Sequence, residues 1–167
     1  YETANPLTET PLTLEAMVKF PTSGGGSDAG GKKGFGINNV IFGNYYGKTT
    51  SNVLNFGISG SNPAVHVIDH LGNAHKFVFD EVFVNTEYWE HIAITFDAAA
   101  GFAYCYQNGV LAQKIAYGGE LSGIDWSDNE FAHVLGGDWQ SERREYFKRK
   151  LGYVALYTDI RSADEIY

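Results

Sequence analysis

The sequence predicts an all-β protein, an antiparallel β-sandwich or barrel, and three observations within residues 89–116 carry this prediction. Large apolar residues alternate with small or polar ones over residues 92–96, which is the period of two that a strand shows. Aromatic residues alternate with smaller ones in the same way over residues 102–107. After that segment, Asn108-Gly109 supplies the residue pair that a type I′ hairpin turn prefers. Residues 89–116 are therefore expected to form three consecutive antiparallel strands.

Further strands are expected before this hairpin. The segment from Leu12 to Phe20 alternates, with its apolar side chains on one face, and Pro21 ends it. The following strands are predicted at residues 40–46, 53–59, 64–69 and 76–79, the last two flanking a turn at Leu71-Gly72-Asn73.

After the hairpin, strands are predicted at residues 131–136 and 151–158, and the alternation in the second of these is imperfect. Long polar loops are expected around them, over residues 117–129 and from Gly137 onward. Ser162 and Glu165 have the spacing of a capping box, which predicts one turn of helix at most.

Composition limits the classes of partner and the organisation of the chain. Its 167 residues predict a single domain, residues 1–167, with room for a core of two packed sheets. The net charge of −8 argues against nucleic acid and against an anionic membrane surface, because both would repel the chain. The abrupt start at Tyr1, with no signal peptide, favours a module with neighbouring domains in a larger chain. Cys105 has no cysteine partner and is expected in the core.

Several stretches, in order, resemble the laminin G-like family of concanavalin A-type lectins and glucanases, in the form found in bacterial extracellular proteins. They are Leu12-Thr-Leu-Glu-Ala-Met-Val-Lys-Phe, Ile41-Phe-Gly-Asn, Trp89-Glu-His-Ile-Ala-Ile-Thr-Phe-Asp, Tyr106-Gln-Asn-Gly-Val-Leu, Val134-Leu-Gly-Gly-Asp, and Phe147-Lys-Arg-Lys-Leu-Gly-Tyr-Val-Ala-Leu-Tyr with Ser162-Ala-Asp-Glu-Ile. The resemblance implies a jelly roll of two antiparallel sheets packed face to face. It does not imply one function, because the same fold serves lectins, adhesion modules and glycanases.

Catalytic patterns are not found in the sequence. The glucanase branch of the superfamily carries Glu-x-Asp-x-Glu on a strand, and this chain has no such pattern. A Gly-x-Ser-x-Gly motif is also missing. The chain is therefore expected not to be an enzyme.

The tryptophans divide by context. Trp89 begins the central strand and is expected to anchor the core. Trp126 and Trp139 lie in polar loops, where an indole either caps an end of the sandwich or stacks on the C–H face of a sugar ring. In the second case the hydroxyl groups of the sugar would be bound by neighbouring polar residues, and Tyr45 would add a further ring. Those neighbours are Asp138, Gln140 and Asn44.

Two further features concern charge. Asp125, Asp128 and Asp138 are hard oxygen ligands in polar loops, so they either hold a structural calcium ion or form a solvated acidic loop. Five of the twelve Lys and Arg residues lie between positions 143 and 150. They are either simply solvated or, with Arg143 and Arg144 foremost, pair with a carboxylated or sulfated glycan.

These features together predict a non-catalytic module of a larger bacterial extracellular protein, secreted or on the cell surface, that binds carbohydrate. The alternative is a protein–protein adhesion module or a structural spacer of the same fold.

Overall fold

A computed structural model describes residues 12–19, 39–45, 50–84, 88–97, 99–117, 134–137, 147 and 149–166. The strands within these residues are β1 (Leu12–Lys19), β2 (Asn39–Gly43), β3 (Val53–Ser59), β4 (Asn62–Ile68), β5 (Ala74–Val78), β6 (Trp89–Asp97), β7 (Phe102–Gln107), β8 (Val110–Ala116), β9 (Val134–Leu135) and β10 (Lys150–Tyr157). No helix occurs in this part of the chain, so none there is long and apolar enough to cross a membrane.

The strands form two sheets of five strands each. The first sheet has the order β10-β1-β6-β7-β8, and the second has the order β5-β4-β3-β2-β9. Every pairing in both sheets is antiparallel. The predicted all-β fold is therefore confirmed, with two sheets rather than one closed barrel.

The inner faces of the two sheets share one apolar core. Leu14 and Ile94 of the first sheet belong to the same buried cluster as Phe56 and Val65 of the second. Phe77 meets Phe96 edge to face across the sandwich, with ring centroids 5.1 Å apart. This face-to-face packing is that of a concanavalin A-like sandwich.

The central hairpin forms as the sequence predicts. Asn108 and Gly109 have φ values of 51° and 77°, which is the left-handed pair of a type I′ turn. In β7 the two small residues Ala103 and Cys105 point inward, so the aromatic residues point outward. Cys105 is buried as expected, and burial raises the pKa of its thiol.

The prediction that Trp89 anchors the core is wrong, because its side chain is 44 % exposed. The alternation of β6 gives the reason. Ile92 and Ile94 point into the core, so position 89 belongs to the opposite, outer face with His91.

The imperfect alternation of the last strand reflects a β-bulge. Val18 pairs with Leu151 and Ala16 with Val154, so Gly152 and Tyr153 both lie opposite the single residue Met17. The extra residue shifts the phase of the strand, and Tyr153 then faces outward.

The chain after β10 crosses the outer face of the first sheet. The Thr13 hydroxyl donates to the carbonyl of Asp159 at 2.8 Å and accepts from the amide of Arg161 at 3.1 Å. Beyond this crossing, the Ser162 amide donates to the Glu165 carboxylate, which is one half of the predicted capping box. The other half is absent, because the Ser162 hydroxyl also donates to this carboxylate and the Glu165 amide donates to the Ser162 carbonyl. The two bonds that the carboxylate accepts from Ser162 lower the pKa of Glu165.

Candidate functional site

The outer face of the first sheet presents a row of aromatic side chains. Trp89 is 44 % exposed and Tyr153 is 42 % exposed, while the others are partly buried. The partly buried aromatic residues on this face are Phe102, Tyr104, Tyr106 and Tyr157. Because these rings project from strands rather than from loops, the sheet fixes their positions. We name this surface the aromatic face.

A buried polar cluster lies beneath Tyr153. The Tyr153 hydroxyl donates to Glu15 Oε2 at 2.6 Å, and His91 Nε2 lies 2.8 Å from the same hydroxyl oxygen. Because the hydroxyl proton points to Glu15, the hydrogen-bond network assigns the proton of His91 to Nε2, which then donates to Tyr153. His91 Nε2 is 3.4 Å from Glu15 Oε2, so the three groups touch one another.

This cluster fixes the orientation of the Tyr153 ring. The ring stacks on the imidazole of His91, with centroids 5.8 Å apart and planes 15° from parallel. Burial and then the hydrogen bond to Glu15 raise the pKa of Tyr153. The phenol therefore stays protonated at neutral pH and keeps its bond to Glu15.

A glycine makes room for the Trp89 indole. A Cβ atom on Gly152 would lie 3.3 Å from Trp89 Cζ3 and 3.1 Å from Met17 Cβ, closer than most real contacts. The indole therefore extends from β6 across β1 to the bulge of β10. At the bulge, Gly152 and Tyr153 lie opposite the same residue of β1. The Tyr153 ring therefore lies beside the space at Gly152 that the Trp89 indole fills.

Two of the ligand-binding residues predicted from sequence, Asn44 and Tyr45, lie in the described residues, at the end of β2. Asn44 is buried, and its side chain accepts from the amide of Leu54 at 2.9 Å and donates to the carbonyl of Asn52 at 2.8 Å. Tyr45 is nearly buried against Val53 and Ile68. Both residues therefore pack at the end of an inner strand of the second sheet, and their role in binding a ligand stays a prediction.

Tyr45 also meets His66, edge to face, with ring centroids 6.3 Å apart. His66 is 1 % exposed. Burial first, and then the charges of Lys76 and His75, lower the pKa of His66 to about 3. His66 is therefore a neutral packing residue at physiological pH.

The other predicted site residues lie outside the described part of the chain. They are Trp126, Trp139, Asp138, Gln140, Arg143 and Arg144 for the ligand, and Asp125, Asp128 and Asp138 for calcium. Of the basic run, only Arg149 and Lys150 are described. Among the described residues, no group of three or more His, Cys, Asp or Glu side chains could hold a metal ion.

Sequence reasoning missed the aromatic face. The period of two in β6 already assigns Trp89 and His91 to the face opposite Ile92, so this part of the signal was available. The cluster beneath Tyr153 had no such signal, because Glu15 and Tyr153 are 138 residues apart in the sequence.

The family model Laminin_G_3, of the concanavalin A-like lectin/glucanases superfamily, matches residues 2–167. Among curated proteins, none matches the chain.

Three crystal structures illustrate the similarity of fold. A candidate carbohydrate-binding protein from Bacteroides ovatus ATCC 8483 is 16 % identical with a TM-score of 0.61, over 96 % of this chain and 40 % of that one. The binding domain of Paraclostridial Mosquitocidal Protein 1 is 15 % identical with a TM-score of 0.65, over 99 % of this chain and 38 % of that one. The NanB sialidase of Streptococcus pneumoniae is 17 % identical with a TM-score of 0.63, over 96 % of this chain and 24 % of that one. This chain thus spans at most 40 % of these structures, and at such identities the likeness shows the fold alone.

Proposed function

We propose that this chain is a non-catalytic carbohydrate-binding module of a larger bacterial extracellular protein. The chain belongs to the Laminin_G_3 family of the concanavalin A-like lectin/glucanases superfamily. The observation that carries the proposal is the aromatic face, where Trp89 and Tyr153 expose 44 % and 42 % of their surfaces. Rings of this kind stack on the C–H faces of sugars, while their polar atoms bind hydroxyl groups. The similarity to a candidate carbohydrate-binding protein agrees with this function.

A second location for the sugar is the pair of polar loops that carry Trp126 and Trp139, with Asp138, Gln140, Arg143 and Arg144 nearby in sequence. An indole in a polar loop would be exposed to water unless it packs on an end of the sandwich or on a ligand. A site on the outer face of a sheet leaves a bound sugar partly in water, so we expect one copy to bind weakly. Useful strength then comes from linkage to neighbouring domains or to further copies.

A glycan array separates the two locations. Wild type is compared with Trp89→Ala, Trp126→Ala and Trp139→Ala, and the melting temperature of each variant shows whether it folds. Loss of binding in one folded variant identifies the site. If wild type retains no glycan above background, the carbohydrate proposal is wrong.

The non-catalytic part of the proposal has its own assay. A panel of polysaccharides is incubated with the protein, and released reducing ends are measured. No release is expected. Release that exceeds a heat-treated control would make the chain a glycanase, as the sialidase among the similar structures allows.

Calcium is proposed as a structural ion, held by the oxygen ligands of Asp125, Asp128 and Asp138. A site-bound ion stabilises the folded state by mass action. The melting temperature should therefore be higher in calcium than in chelator for wild type, but not for Asp125→Asn/Asp128→Asn. An unchanged midpoint for wild type would remove calcium from the proposal.

Protein–protein adhesion is the alternative function. Phe83 and Val110 are 64 % and 68 % exposed, and Gln107 connects them because it pairs with Val110 and donates to the Phe83 carbonyl at 3.0 Å. The similarity to a toxin binding domain agrees with such a role. Retention of a protein partner by wild type, with no glycan bound, would favour it.

A further inference from the structure

Two lysines stand beside Trp89 on the aromatic face. Lys19 of β1 pairs directly with Trp89 of β6 on one side and with Lys150 of β10 on the other. Directly opposed residues of antiparallel strands share a face, so Trp89, Lys19 and Lys150 form one row across three strands. Neighbouring strands are about 4.8 Å apart, which keeps both ammonium groups within reach of a single sugar ring on the indole.

The pairing of these lysines is unfavourable within the chain itself. Like charges directly opposite each other destabilise a sheet. Neither Lys19 nor Lys150 forms an ion pair with any residue that the structure describes, although the chain has a net charge of −8 and acidic groups are plentiful. The two ammonium groups therefore have no acidic partner among the described residues, and an anionic ligand bound at the exposed indole would supply one.

We propose that this end of the aromatic face binds an anionic saccharide. Trp89 and Tyr153 stack on its sugar rings, and the ammonium groups of Lys19 and Lys150 bind its carboxylate or sulfate. The inference rests on the proposed carbohydrate-binding function and names the class of glycan.

The rings of the site are ordered before the ligand arrives. Tyr153 is held by its hydrogen bond to Glu15 and by its stacking on His91, and Trp89 fits against Gly152. Little side-chain entropy is then lost when a sugar binds to them. Glu15 is buried and hydrogen-bonded to Tyr153, so its charge does not face the ligand.

An anionic membrane fits the face less well than a saccharide does. A lipid surface would have to attract a chain of net charge −8 through two lysines only. A single anionic glycan needs only the two ammonium groups of Lys19 and Lys150 to bind its charge.

The test is a glycan array of neutral and acidic sugars, read for wild type, Lys19→Gln/Lys150→Gln and Trp89→Ala. The control is Lys76→Gln, compared with the single variant Lys19→Gln, because it removes one positive charge from β5 of the other sheet, away from Trp89. Anionic glycans should dominate the glycans that wild type binds. The Lys19/Lys150 variant should bind them about 5- to 30-fold more weakly, because each exposed ion pair contributes modestly. The control should bind as wild type does, and higher salt should weaken binding of the acidic glycans.

The outcomes separate this inference from the function on which it rests. If wild type prefers neutral glycans, or if Lys19→Gln and the control lose the same affinity, the inference is wrong and carbohydrate binding stands. If Trp89→Ala keeps full affinity while Trp139→Ala loses it, the site is in the loops and the inference is again wrong. If no glycan binds, both fail. Anionic lipid vesicles bound by wild type but not by the Lys19/Lys150 variant, with no glycan bound, would assign the lysines to a membrane instead.

Discussion

Removing the hydroxyl of Tyr153 should destabilise the fold measurably. In Tyr153→Phe the buried Glu15 carboxylate loses its donor at 2.6 Å and His91 loses its acceptor at 2.8 Å, while the ring stays in place. A hydrogen bond to a charged group contributes roughly 1.5–3 kcal/mol, so the free energy of unfolding should fall by about that amount. For a domain of this size the expected drop in Tm is about 3–12 °C. Urea denaturation and thermal melting, both followed by circular dichroism, measure the two quantities.

Tyr157→Phe is the matched control. Tyr157 is a tyrosine of the same strand and the same face, its ring packs against Arg161, and its hydroxyl makes no hydrogen bond to any described residue. Its loss should change stability by less than about 0.5 kcal/mol. A double-mutant cycle of Tyr153→Phe with Glu15→Gln should show non-additive losses, because the two groups share one bond. Equal losses in the two Phe variants, or additive losses in the cycle, would refute the account of the cluster.

Three other predictions test the packing. The pKa of His66 is lowered to about 3 in the folded chain. Between about pH 6.5 and pH 3 the unfolded chain therefore binds a proton at this histidine that the folded chain does not, so the free energy of unfolding falls as pH drops through this range. Between pH 7 and pH 5, the free energy of unfolding of wild type should fall by about 2 kcal/mol more than that of His66→Gln, as measured by urea denaturation. Equal losses in the two proteins would contradict this. Cys105, buried and with a raised thiol pKa, should react with a disulfide reagent only after unfolding, and rapid labelling of the native protein would show that its strand opens. Gly43→Ala should destabilise the fold by about 2–4 kcal/mol in urea denaturation, because its Cβ would overlap the side-chain oxygen of Asn55. Gly60 has open space around it, so Gly60→Ala should lose only about 1 kcal/mol of stability, through the positive φ at this position. Similar losses for both glycines would show that crowding at position 43 is relieved.

Local signals in the sequence predict most strands of the fold. The period of two predicts the central hairpin, and β3 has the predicted bounds. Asn108-Gly109 forms the expected turn because only a few residues adopt that backbone readily. These features depend on neighbouring residues, so a single sequence contains them.

Features that depend on distant residues were not predictable in the same way. The pairing of β1 with both β6 and β10 creates the cluster beneath Tyr153, and nothing near Glu15 in the sequence reveals its partners. The bulge at Gly152 changes which residues of β10 face outward, and a strict alternation cannot show it. Trp89 was placed in the core by its residue type, although its position in the strand assigned it to the other face.

The position of β1 between β10 and β6 in the first sheet has a consequence for biosynthesis. Thr13 contacts Thr95, which is 82 residues later in the chain, and Glu15 contacts Tyr153 at a distance of 138 residues. On a ribosome, β1 therefore emerges long before either neighbour exists, while β3, β4 and β5 follow one another and can pair as successive hairpins. We expect the nascent second sheet to collapse first, with β1 as an unpaired apolar strand that needs shielding until β6 leaves the exit tunnel.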